Sequence, residues 1–331
     1  EKKVKGKEFI SFGSDNRYPE FLLGLYQDCS TLQSIINGTV DYVKGNRIIF
    51  QGIDNKEVNR KGETITEVVE KCASDYLIFG HFYIQVVRNR LGQVSEIYWL
   101  DASKVRTNES NEVFYYSDSW SKKYGIVDYT VYPKFNPENT EISSSIIMIK
   151  TPQSRGVYGV PVWSGSIKSA LIETKISDFH LNEISNNFLG SSVINFNNGK
   201  PTDEQKREIE DEINEKFAGS GNAGRILLSF NESEKNKTTI ERLGTDDFSD
   251  RYTELAKHTR EQLFISFRAQ PILFGLTSEI STGFSTDEFN QTFSLFNRTV
   301  VKPIQDKISD CINKIFGEGS LSIESFSLNI E

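Results

Sequence analysis

The residues of this chain that could do chemistry are few and scattered. Gly219-Ser220-Gly221-Asn222-Ala223-Gly224 fits a GxGxxG pattern. That pattern cradles a dinucleotide only when a strand precedes it and a helix follows, so that phosphate meets the helix N-terminus. Here a helical pattern over 202–217 precedes the glycines and a strand-like run over 225–230 follows, so the spacing predicts a helix-ending turn. No phosphate-loop GxxxxGKS/T, no HExxH and no GxSxG occurs. His81, His180 and His258 stand apart, with no carboxylate or cysteine at metal-ligand spacing. Cys29, Cys72 and Cys311 are equally dispersed and odd in number, which predicts neither a disulfide framework nor a zinc site, and a reducing compartment. The acidic run Glu208, Glu210, Asp211, Glu212 and Glu215 is interleaved with Lys206, Arg207 and Lys216, the composition of a solvated helix face. Asp246-Asp247 supplies negative charge to a helix N-terminus. The residues therefore predict no catalytic set, no metal and no cofactor.

The elements that would carry these residues belong to a folded chain. Of 331 residues, 37% are hydrophobic, 12% aromatic and 25% charged, which excludes wholesale disorder and allows two domains or one elaborate one. Thirty-eight Lys and Arg against 46 Asp and Glu leave a net charge of −8, which excludes a surface that coats nucleic acid. No apolar run approaches the roughly 20 residues that span a bilayer, and no signal-like segment follows Glu1, so the reading is a soluble, trimmed chain.

Apolar spacing predicts a helix from Tyr18-Pro19, a second opened by a Ser30/Gln33 capping box and ended by Gly45, and a third opened by Thr64/Glu67 and ended at Gly80. A hairpin of 82–88 and 94–100 follows, then strands at 113–116, 126–132 and 146–149, giving an α+β region with a mainly antiparallel sheet over 1–150. Residues 151–161 read as a loop. A long helix over 163–188 and another over 246–268 enclose a small β-α-β-β module of 193–196, 202–217, 225–230 and 238–243. The second long helix carries a stripe of Phe248, Tyr252, Leu255, Thr259, Leu263 and Phe267, opposite a polar side of both signs. After a loop over 270–285, a Ser285/Glu288 capping box opens a helix from Phe289 to Gly317. Pro303 should kink it, and a last strand spans 321–330.

In this order and spacing the chain resembles the portal proteins of tailed double-stranded-DNA bacteriophages, from about residue 13 to 316. The phrases that carry the resemblance are Gly13-Ser14-Asp15-Asn16-Arg17-Tyr18-Pro19, Leu32-Gln33-Ser34-Ile35-Ile36-Asn37-Gly38-Thr39-Val40-Asp41-Tyr42, Tyr76-Leu77-Ile78-Phe79-Gly80-His81-Phe82-Tyr83-Ile84, Leu100-Asp101-Ala102-Ser103-Lys104-Val105-Arg106, Gly156-Val157-Tyr158-Gly159-Val160-Pro161 and Phe267-Arg268-Ala269-Gln270-Pro271-Ile272-Leu273-Phe274-Gly275.

The resemblance implies an α+β subunit with an α/β wing over 1–160, a stem helix over 161–188, an inserted clip over 189–244, a second stem helix over 245–270, a channel loop over 271–285, and a wing helix and terminal strand over 286–331. The crown would be short or absent. It also implies a dodecameric, non-enzymatic ring at one capsid vertex through which double-stranded DNA is packaged and ejected. The implied partners are a terminase motor, the major capsid protein and a head-completion or tail adaptor, with no membrane. Assembly would take place in the bacterial host cytoplasm and the product would reside in the virion. Lys168, Lys175, Arg251 and His258, with Thr277, Ser278, Ser281 and Thr282 of the loop, are the candidates for facing DNA. A mildly acidic chain suits a conduit, because every phosphate neutralised would add salt-dependent affinity and hinder sliding. On the residues alone two other classes stay open: a metal-dependent nuclease or hydrolase whose site is assembled only in space, and a ring scaffold that meets no DNA.

Overall fold

A computed structural model of the protein describes residues 2–3, 8–53, 57–120, 127–185, 193–196, 201–217, 227–230, 246–276 and 286–326. They form two compact units, one of residues 1–170 with 260–331 and the other of residues 171–259.

The first unit begins with the short strands β1 (Lys2–Lys3) and β2 (Ile10–Ser11), followed by helices α1 (Tyr18–Asp28) and α2 (Ser30–Lys44). Proline stands in the first turn of α1, where its missing N–H costs nothing. The expected Ser30 capping box is not formed. Cys29 takes the N-cap position, and the Gln33 N–H goes to the Cys29 carbonyl at 3.0 Å. The reason is that α1 runs to Asp28, leaving one linking residue, so Ser30 is already helical. Gly45 closes α2 at φ +67. Strand β3 (Arg47–Phe50), which apolar spacing did not reveal, leads towards helix α3 (Ile65–Phe79). There Thr64 and Glu67 form a reciprocal capping box, and Gly80 ends the helix in the left-handed region.

Strand β4 (His81–Arg88) lies between β5 (Val94–Leu100) and β9 (Ser144–Lys150) in an antiparallel sheet. It is buried along most of its length, with Phe82, Tyr83, Ile84 and Val86 inaccessible. The strands β6 (Val105–Thr107), β7 (Val113–Tyr116) and β8 (Thr130–Pro133) join β1 and β2 in the antiparallel order β1-β2-β6-β7-β8. Strand β8 is shorter than the pattern over 126–132 implied. Helices α2 and α3 pack together over the core, with Leu32, Ile35, Ile36, Val68, Val69 and Cys72 fully buried.

Residues 151–161 form the expected loop, fastened tightly to the corner between α3 and β4. A Cβ on Gly159 would lie 2.1 Å from the Gly80 carbonyl oxygen, and one on Gly80 would lie 2.4 Å from the Val160 carbonyl carbon. Only paired glycines let these backbones cross so closely. Thr151 N–H donates to Gly80 O at 2.8 Å, and the Thr151 hydroxyl donates to Val160 O at 3.0 Å. Trp163, fully buried, then donates from Nε1 to Leu77 O at 2.9 Å, which fixes the chain just before helix α4 (Ile167–Ser185).

The second unit contains the outer part of α4, strands β10 (Val193–Phe196) and β11 (Leu227–Phe230) paired in parallel, helix α5 (Asp203–Phe217) between them, and the first part of helix α6 (Asp246–Phe267). Parallel pairing with a helical crossover is the β-α-β arrangement the spacing predicted. Thr202 and Gln205 form the capping box that opens α5. The glycine pattern 219–224 and the strand expected at 238–243 lie outside the described residues.

The chain returns to the first unit through the end of α6 and a short 3-10 turn, Pro271–Phe274. The long C-terminal helix is divided by a π turn, Asn297–Val301, into α7 (Thr286–Phe296) and α8 (Lys302–Phe316). The Lys302 N–H bonds to Asn297 O, five residues back. Pro303 has no N–H to offer, so the irregularity falls one turn before it. Phe296, Val300, Ile304, Ile308 and Ile312 recur every four residues, which over-rotates on a helix of 3.6 per turn, and the wide turn absorbs part of that drift. Strand β12 (Leu321–Glu324) pairs antiparallel with β3, joining the two ends of the chain in one unit. Ser285 of the expected α7 capping box and residues 327–330 lie outside the described residues.

Candidate functional site

The long helices α4 and α6 carry the charged residues singled out above, and they are held differently along their length. In the first unit, the Ser166 hydroxyl donates to Gln262 O at 3.0 Å, and Ala170, Leu263, Phe264 and Phe267 are buried. In the second unit, Phe179 stacks on Tyr252 at 4.8 Å, His180 meets the edge of Tyr252, and Ile176 and Thr259 are buried.

Lys168 is exposed on the part of α4 that belongs to the first unit. Lys175 and His258 are exposed in the second. Lys175 pairs with Asp178 at 2.8 Å, and hydrogen bonding to that carboxylate raises the Lys175 pKa. An exposed pair of this kind contributes little stability. Arg251 sits within α6, its side chain outside the described residues. Thr277, Ser278, Ser281 and Thr282 also lie outside them.

The root of that loop is described. Tyr42 Oη donates to Leu273 O at 2.7 Å, and Phe274 lies edge-on to Tyr42 and Phe296. A Cβ on Gly38 would stand 2.7 Å from the Phe274 ring, so α2 leaves room for Phe274 only because residue 38 is glycine. The phrase 32–42 thus positions the segment that starts at Pro271.

One sequence expectation needs correcting. Leu255, placed within the apolar stripe of the second long helix, is 38% exposed, and the other apolar residues Phe179 and Leu181 of α4 and Ile265 of α6 are 38%, 64% and 64% exposed. The apolar positions on these helices exceed what one neighbouring helix can cover, so some stay partly open to solvent in the single chain.

Groups elsewhere with chemical potential are spent on structure. His81 is fully buried and its pKa is pushed down to about 3, first by burial. Its Nδ1 lies within reach of Phe79 O and Gly159 N–H, at 3.1 and 3.2 Å. Asp75 Oδ2 accepts from Trp99 Nε1 and Ala102 N–H at 2.8 and 3.0 Å, and burial raises its pKa well above the usual carboxylate range. Burial likewise raises Cys72, and it pushes Cys311 up to about 12, far from the thiolate a nucleophile needs. Among the described residues no group of three His, Cys, Asp or Glu could hold a metal, and no helix is long and apolar enough to cross a membrane.

An α/β body built from both ends of the chain, with one long helix leading into a small inserted β-α-β unit and another leading back, is the architecture of a portal subunit. The chain belongs to the phage portal protein family, whose sequence profile matches residues 58–329. Its fold is similar to that of a chain in the virion of a native gene transfer agent particle (TM-score 0.62, 14% identity, covering 99% of this chain and 88% of that one). A chain in the neck of a native gene transfer agent particle computed with C12 symmetry is also similar (TM-score 0.59, 16% identity, 98% and 88%). So is the crystal structure of an HK97 family phage portal protein from Corynebacterium diphtheriae (TM-score 0.52, 9% identity, 88% and 88%). No curated protein matches the sequence.

Proposed function

We infer that copies of this chain close into a ring at one capsid vertex and form the channel through which double-stranded DNA is packaged and later ejected. The observation that carries this is the portal family match, which runs from α3 through both long helices and the inserted unit to the C-terminal segment. The reading gives residues 1–160 and 286–331 the role of wing, 161–188 and 245–270 that of stem, 189–244 that of clip, and 271–285 that of channel loop. Twelve subunits accord with the C12 symmetry used for the neck of the similar particle. The exposed apolar side chains of the second unit, Phe179, Leu181 and Leu255, and Ile265 of the first, fit a subunit whose neighbours in the ring cover some of them.

The physics of the lining follows from sliding. A net charge of −8, with Lys175 already paired to Asp178, keeps phosphate affinity low enough for DNA to move. The ring itself does no covalent chemistry in this reading. A packaging terminase would dock on one side and a head-completion or tail adaptor on the other, with the major capsid protein around the wing.

Negative-stain imaging of the purified chain, alone and co-assembled with capsid protein, tests the reading. The expected image is a ring with an open central pore. A species that stays monomeric by native mass spectrometry at every concentration and salt, with and without capsid protein, overturns it.

A further inference from the structure

The π turn and the end of α6 leave a small cleft in the first unit that the conduit reading does not use. Its volume is about 130 Å³, and its walls include Leu77, Phe267, Val300, Arg268 and Lys307. Among the described residues no aspartate or glutamate lines it, although acidic residues outnumber basic ones in the chain by 46 to 38. Arg268 is exposed and Lys307 half-buried, and among the described residues neither has a carboxylate within ion-pair distance.

Arg268 is also held in an uncommon way. Its φ is +53, a left-handed conformation that L side chains disfavour. Its N–H bonds to Ile265 O at 3.0 Å, and the Ala269 N–H bonds to Phe264 O at 3.0 Å, so α6 ends in a Schellman motif whose usual glycine position is filled by arginine. Helix termination alone would favour glycine there, so the guanidinium is the part that needs another explanation. The π turn is a second irregularity on the same cleft, and such turns recur at functional positions.

We propose that this cleft is an oxyanion socket that receives the carboxylate of an aspartate or glutamate from a second copy of this chain. The inference rests on the ring reading above. Two cations with no carboxylate partner among the described residues set the charge, and the planar fork of arginine suits a carboxylate's two oxygens. Ser266 and Thr299, also on the cleft, already donate their hydroxyls to Leu263 O and Leu295 O, which leaves Arg268 and Lys307 as the charged donors to an anion. The size, about 130 Å³, admits a side chain. The apolar walls Leu77, Phe267 and Val300 reward the methylenes of an acidic side chain, from which a hydrated inorganic anion gains nothing.

The test uses rings assembled from a mixture of 15N-labelled and unlabelled chains, treated with a water-soluble carbodiimide and mapped by mass spectrometry. An amide between Lys307 Nζ and an aspartate or glutamate of the other isotopic form is expected, and Lys307→Gln should abolish it. Arg268→Gly should leave the thermal midpoint of the monomer unchanged or higher, because glycine suits the backbone, yet raise the concentration for half-assembly at least ~10-fold. Rings in which Lys307 couples only within its own chain or not at all, together with an Arg268→Gly protein that assembles like wild type, overturn the socket while leaving the ring intact. A wild-type chain that forms no ring overturns the ring reading and this one with it.

Discussion

The side chain of Asn16 accepts the Arg106 Nε–H at 2.6 Å, and the Asn16 carbonyl accepts an Arg106 Nη2–H at 3.0 Å. Arg106 is fully buried, its other hydrogen bonds go to Ser103 and Val105 carbonyls, and its guanidinium lies 4.9 Å from the Trp120 ring. Asn16 also accepts the Phe12 N–H at 3.0 Å while holding a φ of +66. This pair therefore ties the start of the chain to β6. Asn16→Ala removes the acceptor from a buried cation and is expected to lower unfolding free energy by ~2–4 kcal/mol in urea titrations. An unchanged midpoint would show that the guanidinium finds another partner.

A second prediction concerns acid. The folded pKa of His81, about 3, lies far below its ordinary 6.5, so the unfolded chain binds the proton more readily. Stability tied to His81 is complete above pH 6.5 and is lost as pH falls from 6.5 towards 3, at up to ~1.4 kcal/mol per pH unit. His81→Phe keeps an aromatic ring and removes the titration. Urea midpoints between pH 7 and 4 should then fall less steeply than in wild type, and parallel curves would contradict the assignment.

Asp75 has the opposite sign. Its folded pKa is raised, so the native state holds the proton longer, and its contribution is lost as pH rises from the unfolded value through the folded one. Asp75→Asn can still accept from Trp99 and Ala102 without burying a charge. The variant is expected to match or exceed wild type at pH 7, with its advantage shrinking as pH is lowered to 4. A loss of more than ~2 kcal/mol at pH 7 would mean that the ionised carboxylate is needed.

Gly38→Ala drives a methyl group into the Phe274 ring. Overpacking of this kind costs ~1–3 kcal/mol, and cleavage by chymotrypsin after Phe274 should accelerate. Gly38→Ala combined with Phe274→Leu should recover most of the loss. Failure of the double variant to recover would place the strain elsewhere in α2.

If the stem lines the DNA path, Lys168→Gln and Lys175→Gln rings should show weak duplex binding with a salt slope reduced by less than ~1 each. Filter-binding titrations across salt measure this. A strong, salt-steep wild-type affinity would contradict a sliding surface.

The local rules written in the sequence carried most of the elements. Capping pairs at Thr64/Glu67 and Thr202/Gln205, glycines at 45 and 80, and alternating β-branched runs fix helix ends and the hairpin through contacts between near neighbours, which spacing alone can express. The order of phrases along the chain also carried the family. Contacts between distant residues were not legible. The pairing of β12 with β3, the Asn16–Arg106 bond, the Gly80–Gly159 crossing and the Gly38–Phe274 contact each join positions far apart in the chain, and nothing local announces them. The apolar stripes of α4 and α6 showed amphipathicity but not which residues a neighbour would cover, because burial depends on the partners that packing supplies. For the same reason Arg268 reads in sequence as one more surface cation. Only the tertiary structure reveals its left-handed backbone and its place beside Lys307 on a cleft with no acid among the described residues.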